Sequence, residues 1–290
     1  MGNPDTVPRP SDAPPLVDLH LHTTASDGVD TVDVLVAKCA AAGLSIIAVT
    51  DHDTLGAVPA VETAARAAGL RAIAGIEITA VWQQRDIHVL GYFVDPQAPA
   101  LLAFLMQQRE DRIRRARVIG GRLAELGVPI DIEHVITAAA GRPVTRPAIA
   151  AALAEAGHVA DRRAAFDQFL GEGRPAFEPR VGAAITDAIQ IIHHAGGIAS
   201  LAHPGLMNID HLIPDLARDG LDAIEVYHAD HDAIDRRRYR ALARTLGVGI
   251  TGGSDYHGDP LHHPDGLGRY VVPAAAFNDV CRRAGRDPFC

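Results

Sequence analysis

Cysteine is scarce in this 290-residue chain: Cys39, Cys281 and Cys290 are the whole supply. An odd count with no close spacing excludes a disulfide framework and fits a reducing compartment, so a cytoplasmic location is expected. Lysine is scarcer still, with Lys38 the one lysine among 27 basic residues. Arginine and alanine are both abundant, so biased codon usage accounts for that imbalance. No apolar run reaches the roughly 18 residues that a membrane-spanning helix needs. The first 15 residues are polar and proline-rich without an apolar stretch, which excludes a signal peptide and reads as a loose tail. Positive charge is in deficit, the formal net charge being -9. That balance excludes a protein that holds long nucleic acids by bulk charge, although a local basic groove is compatible with it.

What is abundant is histidine, 15 in all, the commonest metal ligand and acid–base side chain. The remaining composition, 48% hydrophobic and 22% charged, is that of a globular protein. Short apolar runs alternate with helical patterns. Strands are read over residues 16–20, 45–50, 71–80, 86–94, 198–202, 223–227 and 248–251, and helices over 31–42, 57–68, 183–195, 210–219 and 233–246. In the first helix Val32, Leu35, Val36 and Cys39 share a face, and Gly43 stops it. Such alternation predicts a parallel sheet with crossover helices. Residues 99–180 break the pattern, with helices over 109–126, 133–140, 146–156 and 161–170 and no convincing strand. They read as a helical insertion, or lid, in a discontinuous α/β domain made of residues 16–98 and 181–290.

The strongest local signal is Asp18-Leu-His20-Leu-His22 at the end of the first strand. Side chains two apart on a strand share a face, so both imidazoles can address one ion. Further groups follow in or just after other strands: Asp27 in the next loop, Asp51-His52-Asp53, Glu77, His88, His203-Pro204, and Asp255-Tyr-His257. In barrel-like and open parallel folds the C-terminal strand ends form the active face, so these residues are expected to converge. Taken singly, His88 between Ile87 and Val89 is an ordinary core histidine. Glu77 between Ile76 and Ile78 is a costly buried carboxylate unless paired or metal-bound. Taken together, coincidence is a poor account of them. His193-His194 and His262-His263 read as helix-end and loop residues without a task.

The four-part pattern His20-x-His22, Asp51-His52, His203-Pro204 and Asp255-x-His257 resembles the PHP (polymerase and histidinol phosphatase) superfamily, over residues 16–94 and 181–272. The resemblance implies an α/β fold, a distorted seven-stranded β/α (TIM-like) barrel, with a two- or three-metal centre acting on phosphoesters. The helical insertion and its exit, Gly173 to Pro179, resemble one bacterial subgroup. That subgroup contains phosphatases of 3′,5′-bisphosphonucleotides and enzymes that trim short RNAs from the 5′ end. Carried over position by position, His20, His22, Glu77 and Asp255 hold a first metal. Glu77 bridges to a second, completed by His88 and His203, while Asp27, His52 and His257 hold a third. Mn²⁺ is the expected ion, and Fe²⁺ or Zn²⁺ also suit an imidazole and carboxylate set without thiolate. Asp51 and Asp53 are expected either to orient ligands or, for Asp53 with Thr54, to cap the following helix.

The expected reaction is attack of a metal-bridged hydroxide on a phosphate monoester of a nucleotide. Asp255, His257 and His228 are the expected catalytic residues. His228 follows a strand end and is the candidate proton donor, the alternative being a surface-loop histidine. Arg142, Arg146 and Arg174, from the insertion, are candidates for gripping phosphate, the alternative being a solvated face. Arg146 resembles the start of a family Arg-x-His grip, but Ala148 stands where the histidine belongs. Trp82, Tyr92 and Phe177 are stacking candidates or core aromatics. The expected partner is a small phosphorylated substrate, neither a long nucleic acid nor a membrane. Three rivals stay in view: histidinol phosphate phosphatase, a C–N hydrolase of the amidohydrolase group, and a non-catalytic metal-stabilised binding domain. Many amidohydrolases bridge their metals with a strand-end lysine, a role that Lys38, inside the first helix, cannot fill.

Overall fold

The computed structural model describes residues 14–259 and 264–287. Residues 1–13 of the expected tail, Cys290 and the His262-His263 pair lie outside them. Seven strands form one sheet: β1 (Val17–Leu21), β2 (Ile46–Val49), β3 (Arg71–Trp82), β4 (Arg85–Tyr92), β5 (Ile198–Leu201), β6 (Ala223–Tyr227) and β7 (Gly249–Gly252). β1, β2 and β5 are buried along their whole length, as in a sheet covered on both faces; β2 is wholly apolar, whereas β1 buries Asp18 and His20 and β5 buries Ser200. Hydrogen bonding follows sequence order from β1 to β7. The chain beyond β7 then reaches back to β1, where the His22 N–H donates to the Tyr256 carbonyl at 3.0 Å. The sheet is thus a nearly closed barrel.

It is not parallel throughout. β4 pairs antiparallel with both β3 and β5. Only Gln83 and Gln84 join β3 to β4, both with positive φ, 47° and 64°. A turn of that length makes a hairpin, whereas a parallel crossover needs a dozen residues or so. The expectation of an all-parallel sheet is corrected here, and the short link was its warning.

Helices cover the barrel: α1 (Val32–Ala41) and α2 (Val58–Ala67) first, then the segment α3 (Pro99–Glu125), α4 (Ile132–Ala138), α5 (Arg146–Glu155) and α6 (Arg162–Ala165). A π-helical turn, Phe166–Leu170, continues α6. Then come α7 (Ile185–His194), α8 (Pro204–Met207), α9 (Ile213–Arg218), α10 (Ala233–Leu246) and α11 (Ala274–Arg283). α11 was not among the expected helices, although Phe277, Val280 and Cys281 stand at helical spacing; they pack with Val17 and Ile46 of the barrel.

α3 starts ten residues before its expected boundary of 109, because Pro99 is tolerated in a first turn and Leu101 and Leu105 pack with Ile185 and Ile189 of α7. Its second half, with Ala116, Ile119 and Leu123, belongs to a separate apolar cluster shared with α5 and the π turn. Between the two halves, the Asp53 carboxylate accepts from Arg112 Nε and Arg180 Nη2, both at 3.0 Å, and from the Thr79 N–H at 2.9 Å. Asp53 is therefore committed to this network and caps no helix; α2 is capped by neither Asp53 nor Thr54, whose Oγ1 accepts from Gly56. Among the described residues no helix is long and apolar enough to cross a membrane.

Candidate metal centre

The barrel brings all nine expected ligands to one end. Glu77, buried in mid-β3, is the hub. Its Oε2 lies 3.1 Å from His20 Nε2, 3.2 Å from His22 Nε2 and 3.3 Å from His52 Nδ1. Its Oε1 lies 2.9 Å from His88 Nδ1 and 3.2 Å from His203 Nε2. The two oxygens of one carboxylate thus face different histidine sets. Asp255 Oδ1 lies 3.2 Å from His20 Nε2 and 3.1 Å from His22 Nε2. Asp27 approaches His257 Nε2 at 3.4 Å and His52 Nε2 at 3.7 Å.

Four compact donor groups follow: His20, His22, Glu77 and Asp255; His52, Glu77 and His88; His22, Asp27, His52 and His257; and His20, Glu225 and His228. Within each, one donor atom per residue lies inside 4.8 Å of the others. His203 adjoins the second group, 3.3 Å from His88 Nδ1.

The donors fit divalent cations on two grounds. Buried polar atoms are ordinarily hydrogen-bonded, yet both ring nitrogens of His22, His52 Nδ1, His203 Nδ1 and Asp255 Oδ1 are buried without such a partner. The titration behaviour agrees. Burial opposes charge on Glu77, but the protonated imidazoles of His20 and His88 hold its carboxyl well below the usual range. Burial likewise opposes protonation of His22, but Asp255 and Glu77 outweigh it and lift this imidazole to about 10. Protons here offset carboxylates in the place that cations would take, and metal binding would release them. His52 goes the other way: burial pushes it down to about 4, so it is neutral, the form that ligates.

Neighbouring groups fix the rings. The His20 Nδ1–H donates to Glu225 Oε1 at 2.9 Å, which turns Nε2 toward the cluster. Glu225 Oε2 accepts the His203 N–H at 2.8 Å. Sequence reading missed Glu225, although its setting, Ala223-Ile-Glu-Val-Tyr227, repeats the buried-carboxylate signal of Glu77. Glu225→Gln, which keeps the shape and removes the charge, should weaken metal retention about tenfold; metal content after dialysis measures it, and full retention would remove Glu225 from this role. His228 is fully buried, so it is no surface-loop residue: its Nδ1 accepts the Asp230 N–H at 3.1 Å and Nε2 faces Asp255 Oδ2 at 3.3 Å. Asp51 holds the His22–Asp27 loop, accepting from the Thr23 N–H at 2.8 Å and Ser26 Oγ at 2.6 Å.

Backbone shape concentrates at this end. Asp53, His203 and Asp255 have positive φ of 48°, 26° and 51°, costly for residues with a Cβ. Gly253 is required by contact, since a Cβ there would lie 2.4 Å from the His20 nitrogen.

Beside the cluster lies a cavity of about 200 Å³, lined by Asp27, His52, Thr79, Asp86 and His88 from the barrel and by Arg112, Arg115 and Arg146 from the helical segment. Arg146 reaches Asp86 Oδ2 at 3.5 Å and lies over the Phe177 ring. Arg115 donates its Nε–H to the Glu178 carbonyl at 2.7 Å. Burial, then the charge of Arg146, with Arg180 and Arg112, pushes its guanidinium down to about 10 against the pull of Asp86. Cations outnumber their partners here, as in a site built for an anion. Arg112 and Arg115 were absent from the expected set. Arg142 lies elsewhere, donating to the Ala138 and Ala139 carbonyls and lining a groove of about 360 Å³ that also touches Asp27. Arg174 is exposed and lines neither. Of the stacking candidates, Tyr92 is a fully buried core residue.

Comparison with known proteins fixes the class. Residues 18–140 match the PHP domain. The chain is 37% identical over 249 residues to the 5′-3′ exoribonuclease Rnm of Escherichia coli (strain K12), covering 83% of this chain and 85% of that one. It is 31% identical over 277 residues to the 3′,5′-nucleoside bisphosphate phosphatase of Chromobacterium violaceum, covering 93% and 95%. A crystal structure of a metal-dependent phosphoesterase from Bifidobacterium adolescentis superposes with a TM-score of 0.82 at 30% identity, covering 93% of this chain and 98% of that one. The chain belongs to the PHP family. It is a metal-dependent phosphoesterase, a hydrolase of phosphoric esters.

Proposed function

We propose that this enzyme hydrolyses a phosphate monoester of a nucleotide, a 3′,5′-bisphosphonucleotide or a short 5′-phosphorylated RNA. The observation that carries the reading is the cavity in which Arg115 and Arg146 face His52 and His88. A phosphoryl group there meets the guanidinium forks on one side and the metal-site residues on the other. The name of the Chromobacterium violaceum relative supports a nucleotide phosphate monoester, and that of the Escherichia coli relative, an exoribonuclease and so a phosphodiester hydrolase, supports RNA as the kind of molecule bound. The adjoining groove, which shares Asp27, Thr145 and Pro147 with the cavity, has room for a nucleoside.

In this reading His20, His22, Glu77 and Asp255 hold one ion, Glu77 with His88 and His203 a second, and Asp27, His52 and His257 a third, with manganese the preferred metal. Divalent ions supply Lewis acidity, offsetting charge on phosphoryl oxygens and making water a better nucleophile near neutral pH. Glu225 and His228 hold His20 and Asp255 in place, and His228 is the proton donor nearest Asp255. Residues 99–180 act as a lid on the barrel formed by 16–98 and 181–290, and the enzyme works in the cytoplasm. The test is phosphate release, with Mn²⁺ present, from 3′,5′-bisphosphonucleotides, nucleoside monophosphates, short 5′-phosphorylated RNAs and histidinol phosphate. Nucleotide substrates should lead the panel. Preference for histidinol phosphate would overturn the substrate class.

A further inference from the structure

The single lysine has a structural use that the metal site does not explain. Lys38 lies on α1, and its Nζ donates to Asp30 Oδ2 at 2.6 Å and to the Tyr256 hydroxyl at 2.9 Å. The Tyr256 hydroxyl also donates to Asp30 Oδ2, at 3.1 Å. Tyr256 is buried between Asp255 and His257, and its side chain packs in the apolar cluster of Leu21, Leu35 and Cys39. Asp30 closes the loop that begins at His22 and carries Asp27. Around the three side chains one backbone bond joins the two loops, the Val29 N–H donating to the His257 carbonyl at 2.8 Å, and another closes the first loop on itself, the Thr24 N–H donating to the Asp30 carbonyl at 2.9 Å.

We propose that Lys38, Asp30 and Tyr256 form a clasp that positions the Asp27 loop against the Asp255–His257 loop and so sets the affinity for the ion held by Asp27, His52 and His257. The proposal rests on the three-ion reading above. Asp27 is part-exposed and is met from its own loop by the Ser26 hydroxyl at 3.2 Å, while His257 sits on the other loop, so the distance between them depends on how the loops are joined. Ligand placement must hold to about 0.2 Å for tight binding. An ammonium suits the junction because it is a compact charge that donates to two oxygens at once, whereas guanidinium spreads its charge over a planar fork. In a chain that uses arginine at every other basic position, lysine stands where one nitrogen contacts a carboxylate and a phenol together.

The test uses the full chain and Mn²⁺ alone. Wild type, Lys38→Met, Tyr256→Phe and Lys38→Arg are loaded with Mn²⁺, dialysed, and assayed for bound metal and for the affinity of each equivalent, with thermal unfolding alongside. Wild type should bind three equivalents. Lys38→Met and Tyr256→Phe should bind the weakest equivalent at least about tenfold more loosely and leave the other two unchanged. Lys38→Arg, which keeps the ion pair with Asp30, should fall between. Excess Mn²⁺ should refill the weakest equivalent in the variants, a rescue that a loop unable to fold would not give. An unchanged weakest equivalent, or an equal loss of all three, overturns the clasp. A wild-type chain that never takes a third equivalent overturns the three-ion reading first, and the clasp with it.

Discussion

Replacing Glu77 by glutamine should abolish phosphate release while the barrel stays folded. This carboxylate contacts five imidazoles through its two oxygens, between 2.9 and 3.3 Å. Glu225 also touches both histidine sets, but at the His20 ring and the His203 backbone N–H, whereas Glu77 meets the imidazoles of both. Glutamine keeps the shape, but its amide nitrogen repels a cation where Glu77 presents an anion. Losing the shared ligand removes charge stabilisation worth several kcal/mol, so kcat/KM should fall by about a thousandfold, which is about 4 kcal/mol. Metal content should fall with it, and circular dichroism should keep the wild-type signature. Near-normal turnover with full metal content would show that Glu77 bridges nothing.

Arg146→Ala should give the second large effect, and of a different kind. Its guanidinium lines the cavity beside His52 and His88 and is held over Phe177 with a weak 3.5 Å contact to Asp86, so it is available to an incoming anion. A charge-assisted hydrogen bond contributes about 1.5–3 kcal/mol, so kcat/KM should fall about 10- to 100-fold while bound metal is unchanged. Arg115→Met should act in the same direction. Arg174, exposed and away from the cavity, is the internal control, and its alanine variant should retain activity. Equal kcat/KM for Arg146→Ala and wild type would separate the cavity from phosphate recognition.

The clustering of the donor residues was legible in the sequence because all but Asp27 are polar side chains inside an apolar strand or soon after one. Glu225 carries the same signature and was missed because no motif named it. The direction of β4 was written in the short link after Trp82, but a sheet read as alternating strands and helices hid it. Arg112 and Arg115 looked like part of a solvated helix, since charge on a long helix is ordinary. Their spacing held the answer: with Ala116 and Ile119 they form one face of α3, and that whole face lines the cavity. The lower half of α3 was lost because its burial against α7 is a tertiary effect that no local charge pattern displays.

The route of the chain has an evolutionary consequence. Every candidate metal residue comes from 16–98 or 181–290, while Arg112, Arg115 and Arg146 come from the stretch between. In the function proposed above, hydrolytic power and choice of substrate therefore sit on different lengths of polypeptide. A recombination that exchanged the middle length would pass an unaltered reaction centre to a new clientele, with no change at the histidines. One condition would travel with the exchange. The incoming length would have to supply cations for Asp53, as Arg112 and Arg180 do here, or leave a buried carboxylate unpaired beside His52.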